Sequence, residues 1–396
     1  MKDSQFEKKS ACCGCGACVA VCPRSCLAMV RDEEGFDYPK VDPVNCTKCG
    51  QCGVVCPVAH PPDGSRHRDT PPVYMCRHGN DSIRDRSSSG GAFTALAAQA
   101  LADGAVVYGA GFAPDFSGVR HMPAQNMAEL DILRRSKYVQ SDTVPAFRAI
   151  ARDLARGQRV FFVGTPCQVA GLRKLAGADV RSLVTCDLVC HGVPSPGVFT
   201  NYMAAQVRQF GAMTTAYDFR DKSHGWNCGS VRQTFANGRV YARWNWGDPF
   251  MQGFLRNAFL RPACHTCRFA ALPRMGDLTL GDYWGVGAQR SRHDDNQGTS
   301  LVLANTSSGE ALFHGSAASM ICDTGNLDLA IAHNPAMVRA TPKPHWRPAF
   351  FDAFQRTGSF TTASRTYVHY GFLLKRRCAR MAKQALWLLK KALAAR

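Results

Sequence analysis

Residues 12–23 read C-C-G-C-G-A-C-V-A-V-C-P, and residues 46–57 read C-T-K-C-G-Q-C-G-V-V-C-P. Both segments fit the spacing C-x2-C-x2-C-x3-C-P, in which three close thiolates bind one [4Fe–4S] cluster and the cysteine before proline binds the other cluster. A pair of zinc ribbons would instead place two ligand pairs around a longer spacer. The repeated spacing therefore predicts a ferredoxin-like module with two clusters that transfers single electrons.

The crossed arrangement assigns each of these eight cysteines to one cluster. The ligands predicted for the first cluster are Cys12, Cys15, Cys18 and Cys56. The ligands predicted for the second cluster are Cys46, Cys49, Cys52 and Cys22.

The composition restricts the class of protein further. A length of 396 residues allows two or three domains, and a hydrophobic content of 45% is enough for a full core. The odd count of 19 cysteines argues against a secreted disulfide framework. The first ten residues contain no apolar signal segment, and no apolar stretch reaches the ~18 residues of a membrane span. We therefore expect a cytoplasmic protein.

The pattern of strands and helices predicts several domains. Strands are predicted at 105–112, 159–163 and 182–189, helices at 92–101, 148–156, 168–175 and 197–210, and short antiparallel strands within 214–246. This pattern indicates a multidomain protein of the α+β or α/β class. The predicted units are a ferredoxin-like domain (1–59), a proline-rich linker (60–72), two parts of a central α/β domain (73–158 and 159–345) and a helical extension (346–396).

Six segments after the linker occur in an order that resembles a known family. They are S-S-S-G-G-A-F-T-A-L-A (87–97), S-K-Y-V-Q-S (136–141), G-T-P-C-Q-V-A-G-L-R (164–173), D-L-V-C-H-G-V-P-S-P (187–196), C-H-T-C (264–267) and G-D-L-T-L-G-D-Y-W-G (276–285). The chain resembles the beta-subunit family of coenzyme F-420 hydrogenases and dehydrogenases, including bacterial members tied to polysaccharide genes. The resemblance covers residues 72–310 and implies an oxidoreductase with FAD and at least one further cluster.

Four more cysteines stand at motif positions of this family, each in a predicted turn. They are Cys167, Cys190, Cys264 and Cys267, and we expect them to bind a third [4Fe–4S] cluster. The pair C-x2-C alone would also suit half a zinc site or a redox disulfide, and Cys186 competes with Cys167. The remaining cysteines have no ligand spacing and are interpreted as structural: Cys13, Cys26, Cys76, Cys186, Cys228, Cys322 and Cys378.

The predicted flavin site begins at a serine–glycine segment before a helix. Backbone N–H groups at a helix start favour phosphate, and glycine lets the phosphate approach closely. A plain helix N-cap would explain the serines equally well. The candidates for the pyrophosphate are Ser88, Ser89, Gly90, Gly91 and Thr94. The resemblance adds Lys137, Tyr138, Gly164, Thr165, Pro166, Gln168 and His191 as further flavin-binding residues, with Lys137 and His191 as catalytic candidates.

Other polar groups and the C-terminal segment suggest contacts with substrate and partners. Lys222, His224 and Trp226 form a polar–aromatic turn that would suit a substrate lip, and Asp277 and Asp282 flank a short strand. Residues 373–396 have the pattern of a basic amphipathic helix. This helix would lie on the inner face of a membrane, pack on the protein itself, or bind a partner.

The expected function is that of an iron–sulfur flavoprotein oxidoreductase. It would pass electrons between a ferredoxin-type carrier and a small organic substrate, in a role linked to polysaccharide biosynthesis. One alternative is an electron-transfer subunit without a substrate of its own. Another is a binding or sensor protein with structural clusters. Nucleic acid is not expected as a partner, although the formal charge is +18, because no helix-turn-helix or base-stacking motif is present.

Overall fold

The computed structural model describes residues 9–177, 180–289 and 291–368. The strands are β1 (Leu27–Arg31), β2 (Asp37–Val41), β3 (Val73–His78), β4 (Val106–Phe112), β5 (Val119–Ala124), β6 (Val160–Gly164), β7 (Leu183–Leu188), β8 (Thr214–Asp221), β9 (Ser230–Phe235), β10 (Val240–Trp244), β11 (Leu278–Asp282), β12 (Ser300–Ala304) and β13 (Met320–Thr324). The first helices are α1 (Ala17–Ala20), α2 (Gln51–Val54), α3 (Asp81–Asp85), α4 (Ala92–Ala102), α5 (Met127–Leu133), α6 (Val144–Ala155) and α7 (Pro166–Ala176). They are followed by α8 (Pro196–Phe210), α9 (Pro249–Leu255), α10 (Ser307–Ser316), α11 (Leu327–His333), α12 (Arg347–Thr357) and α13 (Phe360–Tyr367), with 3₁₀ turns at Trp226–Cys228, Pro262–Thr266, Val286–Gln289, Ala317–Ser319 and Pro335–Met337.

The N-terminal module consists of one hairpin and two single-turn helices. Strands β1 and β2 pair antiparallel. Helix α1 begins after Gly16, with φ at 77°, and helix α2 begins after Gly50, with φ at 79°. Glycine is favoured at both positions because a side chain would strain this left-handed backbone. Each turn thus carries its cysteines into a short helix, as a ferredoxin-like module requires.

The central domain is built on one mixed sheet. Its strand order over the described residues is β13-β3-β12-β11-β7-β6-β4-β5. The middle strands β11, β7, β6 and β4 run parallel, and antiparallel strands flank them on both sides. All five residues of β6 and of β12 are buried, as expected for strands covered on both faces. The predicted fold class is confirmed.

A smaller antiparallel sheet packs beside the central one. Its order is β10-β9-β8, which confirms the predicted antiparallel pairing within residues 214–246. It contributes to an aromatic core in which Phe199 of α8 meets Phe219 and Phe250, with ring centroids 5.8 and 5.4 Å away. This core supports the segments that lead into the 3₁₀ turn Pro262–Thr266.

Most predicted element positions are confirmed, with small shifts at their ends. Helix α6 begins at Val144 rather than at residue 148, because Pro145 lies in its first turn, where its fixed φ favours helix and its missing N–H costs nothing. The division predicted between residues 158 and 159 of the central domain falls between α6 and β6. Strands from both sides of this division join the same sheet. That division stays a prediction.

The proposed linker and the C-terminal extension both pack on the central domain where they are described. Within residues 60–72, the Arg68 N–H donates to the Asn305 carbonyl, and its guanidinium donates to Glu310 at 2.7 Å. Helices α12 and α13 cover the aromatic core. The basic helix predicted at 373–396 lies outside the described residues. In the described part of the chain, no helix combines the length and apolarity needed to cross a membrane.

Candidate electron-transfer site

The thiols predicted for the second cluster line one cavity. It is a surface depression lined by Cys22, Cys46, Cys49 and Cys52 together with Cys26. Cys49 is exposed, Cys22 and Cys46 are partly buried, and Cys52 is buried. The four predicted ligands therefore surround a shared space at the surface, although their assignment as ligands stays a prediction.

Cys26 is a fifth thiol in this cavity that the spacing argument did not single out. Its Sγ lies 3.3 Å from Cys22 Sγ. Because it falls outside the repeated C-x2-C-x2-C-x3-C spacing, nothing in the sequence marks it as a neighbour of Cys22. Because Cys26 lies beside a predicted ligand but lacks the ligand spacing, a Cys26 variant is a suitable control for the predicted ligands of the second cluster.

The thiols predicted for the first cluster meet at the inner end of the module. Burial and the thiolates of Cys12, Cys56 and Cys52 raise the pKa of Cys18 to about 12. Cys18 therefore lies near Cys56, which is 38 residues away in sequence, as the crossed arrangement requires. Its proximity to Cys52 also brings the two groups of thiols next to each other.

A buried arginine from the central domain holds this end of the module. Arg261 is fully buried and donates to the Cys12 carbonyl at 2.7 Å, to the Asp37 carbonyl at 3.1 Å and to Gln140 Oε1 at 2.8 Å. Its guanidinium also lies 4.1 Å from the centre of the Tyr38 ring. When the module packs on the central domain, these acceptors lose their contact with water. The planar guanidinium compensates by donating a hydrogen bond to each of them.

We expect Arg261→Ala to loosen the docking of the module. The substitution leaves buried acceptors at Cys12, Asp37 and Gln140 without a donor, which costs about 1–3 kcal/mol for each unsatisfied group. Limited proteolysis should then cleave between the module and the central domain, and the melting temperature should fall. Arg243→Ala, at an exposed position, is the matched control. Equal protease resistance in both variants would contradict this role for Arg261.

The four cysteines of the proposed third cluster come together from three separate segments. Cys167 lies in the first turn of α7, Cys190 follows β7, and Cys264 and Cys267 lie at the 3₁₀ turn Pro262–Thr266. Burial raises the pKa of Cys190, and the nearby thiolates of Cys264, Cys167 and Cys267 raise it further. Cys186, the competing candidate, instead lies in the core beside Asp187 and Asp277.

The four thiols are predicted to bind a cluster rather than a single ion. Among the described residues, no three His, Cys, Asp or Glu side chains converge closely enough to share one metal ion. A [4Fe–4S] cluster is different, because each thiolate binds its own iron at a separate corner of the cubane. The residue type present at each site, cysteine, suits such a cluster, and the ligand assignments of all three clusters stay predictions.

Cys13 connects the module to the third group of thiols. Cys15 raises the pKa of the Cys13 thiol well above its ordinary value and Cys167 lowers it, so Cys13 lies near both thiols. Gly171 of α7 packs so closely on the module that a Cβ there would lie 2.8 Å from Cys15 Sγ. Sequence spacing gave Cys13 only a structural role, because this contact depends on how the two domains pack.

A chain of buried polar groups holds the turn that carries Cys167. The Gln168 amide accepts from the Thr165 N–H at 2.9 Å and donates to Ser141 Oγ at 2.9 Å. Ser141 Oγ lies 3.0 Å from His121 Nδ1, and His121 Nε2 lies 3.0 Å from the Val163 carbonyl. Gln168, predicted to bind flavin, is therefore engaged in fixing the start of α7.

Acidification should weaken this polar chain through His121. Burial lowers the pKa of His121 to about 4, below its unfolded value of 6.5. A depressed histidine pKa means that stability present above pH ~6.5 is lost as the pH falls towards ~4, by roughly 3 kcal/mol. His121→Gln should show a smaller loss of urea midpoint over that range than the unsubstituted protein. Parallel curves for the two proteins would contradict this assignment.

Three features at the start of α4 favour the binding of an anionic group. Gly91 begins the helix with φ at 92° and without a side-chain cap. The Thr94 hydroxyl is buried and has no hydrogen-bond partner among the described residues. Burial and the positive charge of Arg134 lower the pKa of nearby His78, so basic groups also lie close. These features suit the flavin pyrophosphate.

The other residues predicted to contact the phosphate make packing contacts or hydrogen bonds within the protein. A Cβ at Gly90 would lie 2.3 Å from the Cys76 carbonyl, so glycine is required there by backbone packing. Ser88 Oγ accepts from the Ser136 N–H at 2.8 Å, and Ser89 Oγ donates to the Thr299 carbonyl at 2.9 Å. Lys222 donates to carbonyls of this segment, including that of Ser89 at 3.2 Å. The segment is thus held from several sides.

The two residues predicted to be catalytic lie in well-packed positions. Burial lowers the pKa of Lys137 to about 7, and its ammonium donates to the Ile132 carbonyl at 3.1 Å, near the end of α5. His191 Nε2 lies 2.7 Å from Asn257 Oδ1, and burial lowers its pKa. A flavin role for either residue stays a prediction.

Tyr138 belongs to a buried charged and aromatic group. Its hydroxyl accepts from Arg220 at 3.1 Å, and Arg220 donates to Asp282 at 2.9 Å. Asp282 also accepts from Trp226 Nε1 at 3.2 Å, and the Trp226 and Trp284 rings stack 4.3 Å apart. Trp226 is therefore buried rather than presented as a free lip. Asp277 lies on the other side of β11, paired with Arg173 at 2.9 Å.

Comparison with known families agrees with this arrangement. Residues 11–60 match the 4Fe-4S dicluster domain. Residues 157–329 match the C-terminal family of the coenzyme F420 hydrogenase/dehydrogenase beta subunit. Residues 157–329 are therefore similar to this beta-subunit family. The resemblance inferred from the sequence motifs is confirmed, and the chain is an iron–sulfur protein of an oxidoreductase family.

The individual proteins that match this chain are more distant. A 46-residue stretch is 52% identical to one of the subunits of the Na⁺-translocating ferredoxin:NAD⁺ oxidoreductase complex of Acetobacterium woodii, and it spans 12% of this chain and 13% of that protein. A chain in the structure of the F420-reducing [NiFe] hydrogenase complex from Methanosarcina barkeri is 16% identical. That similarity covers 73% of this chain and 92% of the other at a TM-score of 0.48, and nothing further rests on it.

Proposed function

We propose that the chain is an electron-transfer subunit of a larger oxidoreductase complex, with three [4Fe–4S] clusters and one FAD. The observation that carries the proposal is the packing of α7, whose first turn holds Cys167, against the module: a Cβ at Gly171 would lie 2.8 Å from Cys15 Sγ. This packing places the thiols of the ferredoxin-like module against those of the central domain.

The thiol groups form a continuous series from the surface to the interior. The exposed Cys49 belongs to the surface cavity, and Cys52 of the same cavity lies near Cys18 of the inner group. Cys13 then adjoins Cys167 of the third group. A [4Fe–4S] cluster supplies one-electron transfer. The series therefore supports a path between an external one-electron carrier of the ferredoxin type and the central domain.

The proposed flavin would be held at the start of α4. Gly91 and the buried Thr94 hydroxyl would bind the pyrophosphate, and Lys137 or His191 would lie towards the isoalloxazine ring. FAD accepts electrons singly and releases them in pairs, which is chemistry that clusters alone do not supply. Its two-electron partner would be a deazaflavin of the F420 type or a small organic substrate.

Relatives support a subunit rather than an independent enzyme. The family is named for a beta subunit, and the name of the Acetobacterium relative describes one component of a larger complex. Hydride transfer to a substrate at this chain alone, as in a polysaccharide-linked reductase, is the competing proposal. It requires that the isolated chain turn over a physiological substrate.

Anaerobic purification from the native host separates the two proposals. An affinity-tagged full-length chain should elute with a stoichiometric partner protein. The chain purified alone should reduce artificial dyes but no physiological substrate. Reduction of an organic substrate by ferredoxin with the chain alone, without a partner, would overturn the subunit assignment.

A further inference from the structure

Two cysteines outside all three predicted cluster sites face each other across the sheet. Cys76 of β3 is directly opposite Cys322 of β13 in the antiparallel register. Side chains at directly opposed positions lie on the same face, and the Cα separation of such pairs matches that of a disulfide. The two Sγ atoms are 2.7 Å apart. No shift of backbone is needed to join them.

We propose that Cys76 and Cys322 form a reversible disulfide when a hydroperoxide oxidises the protein. The alternative is that the thiols pack only as small apolar groups. Two observations favour the disulfide: the direct register, and the unequal access of the two thiols. Cys76 is fully buried, whereas Cys322 is partly exposed and can meet an oxidant first.

The chemical environment supports Cys322 as the attacking thiol. The hydrogen-bonded contact with Cys76 lowers the pKa of Cys322, whereas burial raises that of Cys76. The negative charge of Asp323 acts in the opposite direction on Cys322, but Asp323 is paired with the Arg292 guanidinium at 2.6 Å. A thiolate at a partly exposed position is the reactive form of cysteine.

The oxidation consumes one hydroperoxide for each disulfide. The Cys322 thiolate attacks the terminal oxygen of the hydroperoxide, the O–O bond breaks, and a sulfenic acid forms while the leaving hydroxide or alkoxide takes a proton from solvent. The Cys76 sulfur then attacks the Cys322 sulfur, the S–O bond breaks, and the departing hydroxide takes the Cys76 proton. Two electrons pass from the thiols to the peroxide, and two waters are released when it is hydrogen peroxide.

The disulfide would fasten the edge of the central sheet. Strand β13 is outermost in the described sheet, and the link would join residues 246 positions apart. The Cys76 carbonyl also contacts Gly90, immediately before α4. Oxidation would therefore stabilise β13 against β3 beneath the segment that begins this helix.

The test is performed on the full-length protein with its cofactors. The protein is treated anaerobically with a small excess of hydrogen peroxide, quenched with N-ethylmaleimide under denaturing conditions and mapped by peptide mass spectrometry. A Cys76–Cys322 linked peptide is expected, together with a higher melting temperature and reversal of both by dithiothreitol. Iron content is measured in the same samples.

Two variants make the result decisive. Cys322→Ser should abolish both the link and the thermal shift. Cys228→Ser, a change at another partly buried thiol, should leave both intact. The proposal is overturned if Cys76 and Cys322 both remain alkylated at peroxide doses that already release iron, or if Cys322 is oxidised to the sulfinic acid while Cys76 stays free.

Discussion

A Cys190→Ala variant is expected to retain about eight irons per chain instead of about twelve after anaerobic reconstitution. Cys190 is surrounded by Cys264, Cys167 and Cys267, so its loss removes one corner ligand from the proposed third cluster. The ferredoxin-like module should still reconstitute, because its ligands lie in another part of the chain. Bound flavin should then no longer be reduced through the module.

Cys186→Ala is the matched control for this experiment. Cys186 is only four residues away but lies in the core of the sheet, with Asp187 and Asp277 as its charged neighbours. Its substitution should leave the iron content unchanged. Loss of four irons from Cys186→Ala, with full iron in Cys190→Ala, would show that the third group of ligands has been assigned wrongly.

The second large effect is expected from Cys49→Ala. Cys49 is the exposed thiol of the surface cavity, and its removal should cost about four irons and sharply slow reduction by ferredoxin. Dithionite should still reduce the flavin, because a small reductant does not depend on that route. Iron content and the rate of flavin bleaching with each reductant provide the measurement.

The Cys26→Ala variant tests whether a thiol in this cavity binds the cluster or only lies near the ligands. Cys26 lines the same cavity and lies 3.3 Å from Cys22, yet the crossed spacing assigns Cys22 as the ligand. The Cys26 variant should therefore keep its iron and its ferredoxin-linked rate. An unchanged ferredoxin-linked rate in Cys49→Ala would exclude the surface cavity as the site where electrons enter.

The parts of the molecule that could be predicted from the sequence rest on local rules. Ligand spacing indicated the dicluster module, and alternating strand and helix patterns placed α4, α7, α8 and β7 to within a residue or two. Short-range patterns succeed here because turn geometry and helix periodicity depend on neighbouring residues. The family motifs likewise located Cys167 and Cys190, which the fold brings together.

The missed features depend on contacts between distant parts of the chain. Arg261 stands beside a C-x2-C motif, yet its function is set by the Cys12 and Asp37 carbonyls more than 200 residues away. Cys13 and Cys322 were interpreted as structural for the same reason. Long-range strand order and domain docking place such residues, and neither leaves a periodic signal in one sequence.

The residues predicted to bind flavin fall between these two cases. The serine–glycine segment predicted a helix start correctly, and α4 begins at Ala92. The sequence did not show that Gly90 is required by packing against the Cys76 carbonyl, or that Lys222 donates to the carbonyls of the same segment. The same residue types serve phosphate binding and tight packing, so pattern alone does not separate the two roles.

The iron and flavin content of the full-length chain tests the central claim most directly. After anaerobic reconstitution and removal of loosely bound iron, we expect about twelve irons, in three [4Fe–4S] clusters, and one FAD per chain. Iron is measured by metal analysis and flavin by its absorbance after acid release. A value of about eight irons with bound FAD would contradict the third cluster and the continuous series of thiols on which the proposed function depends.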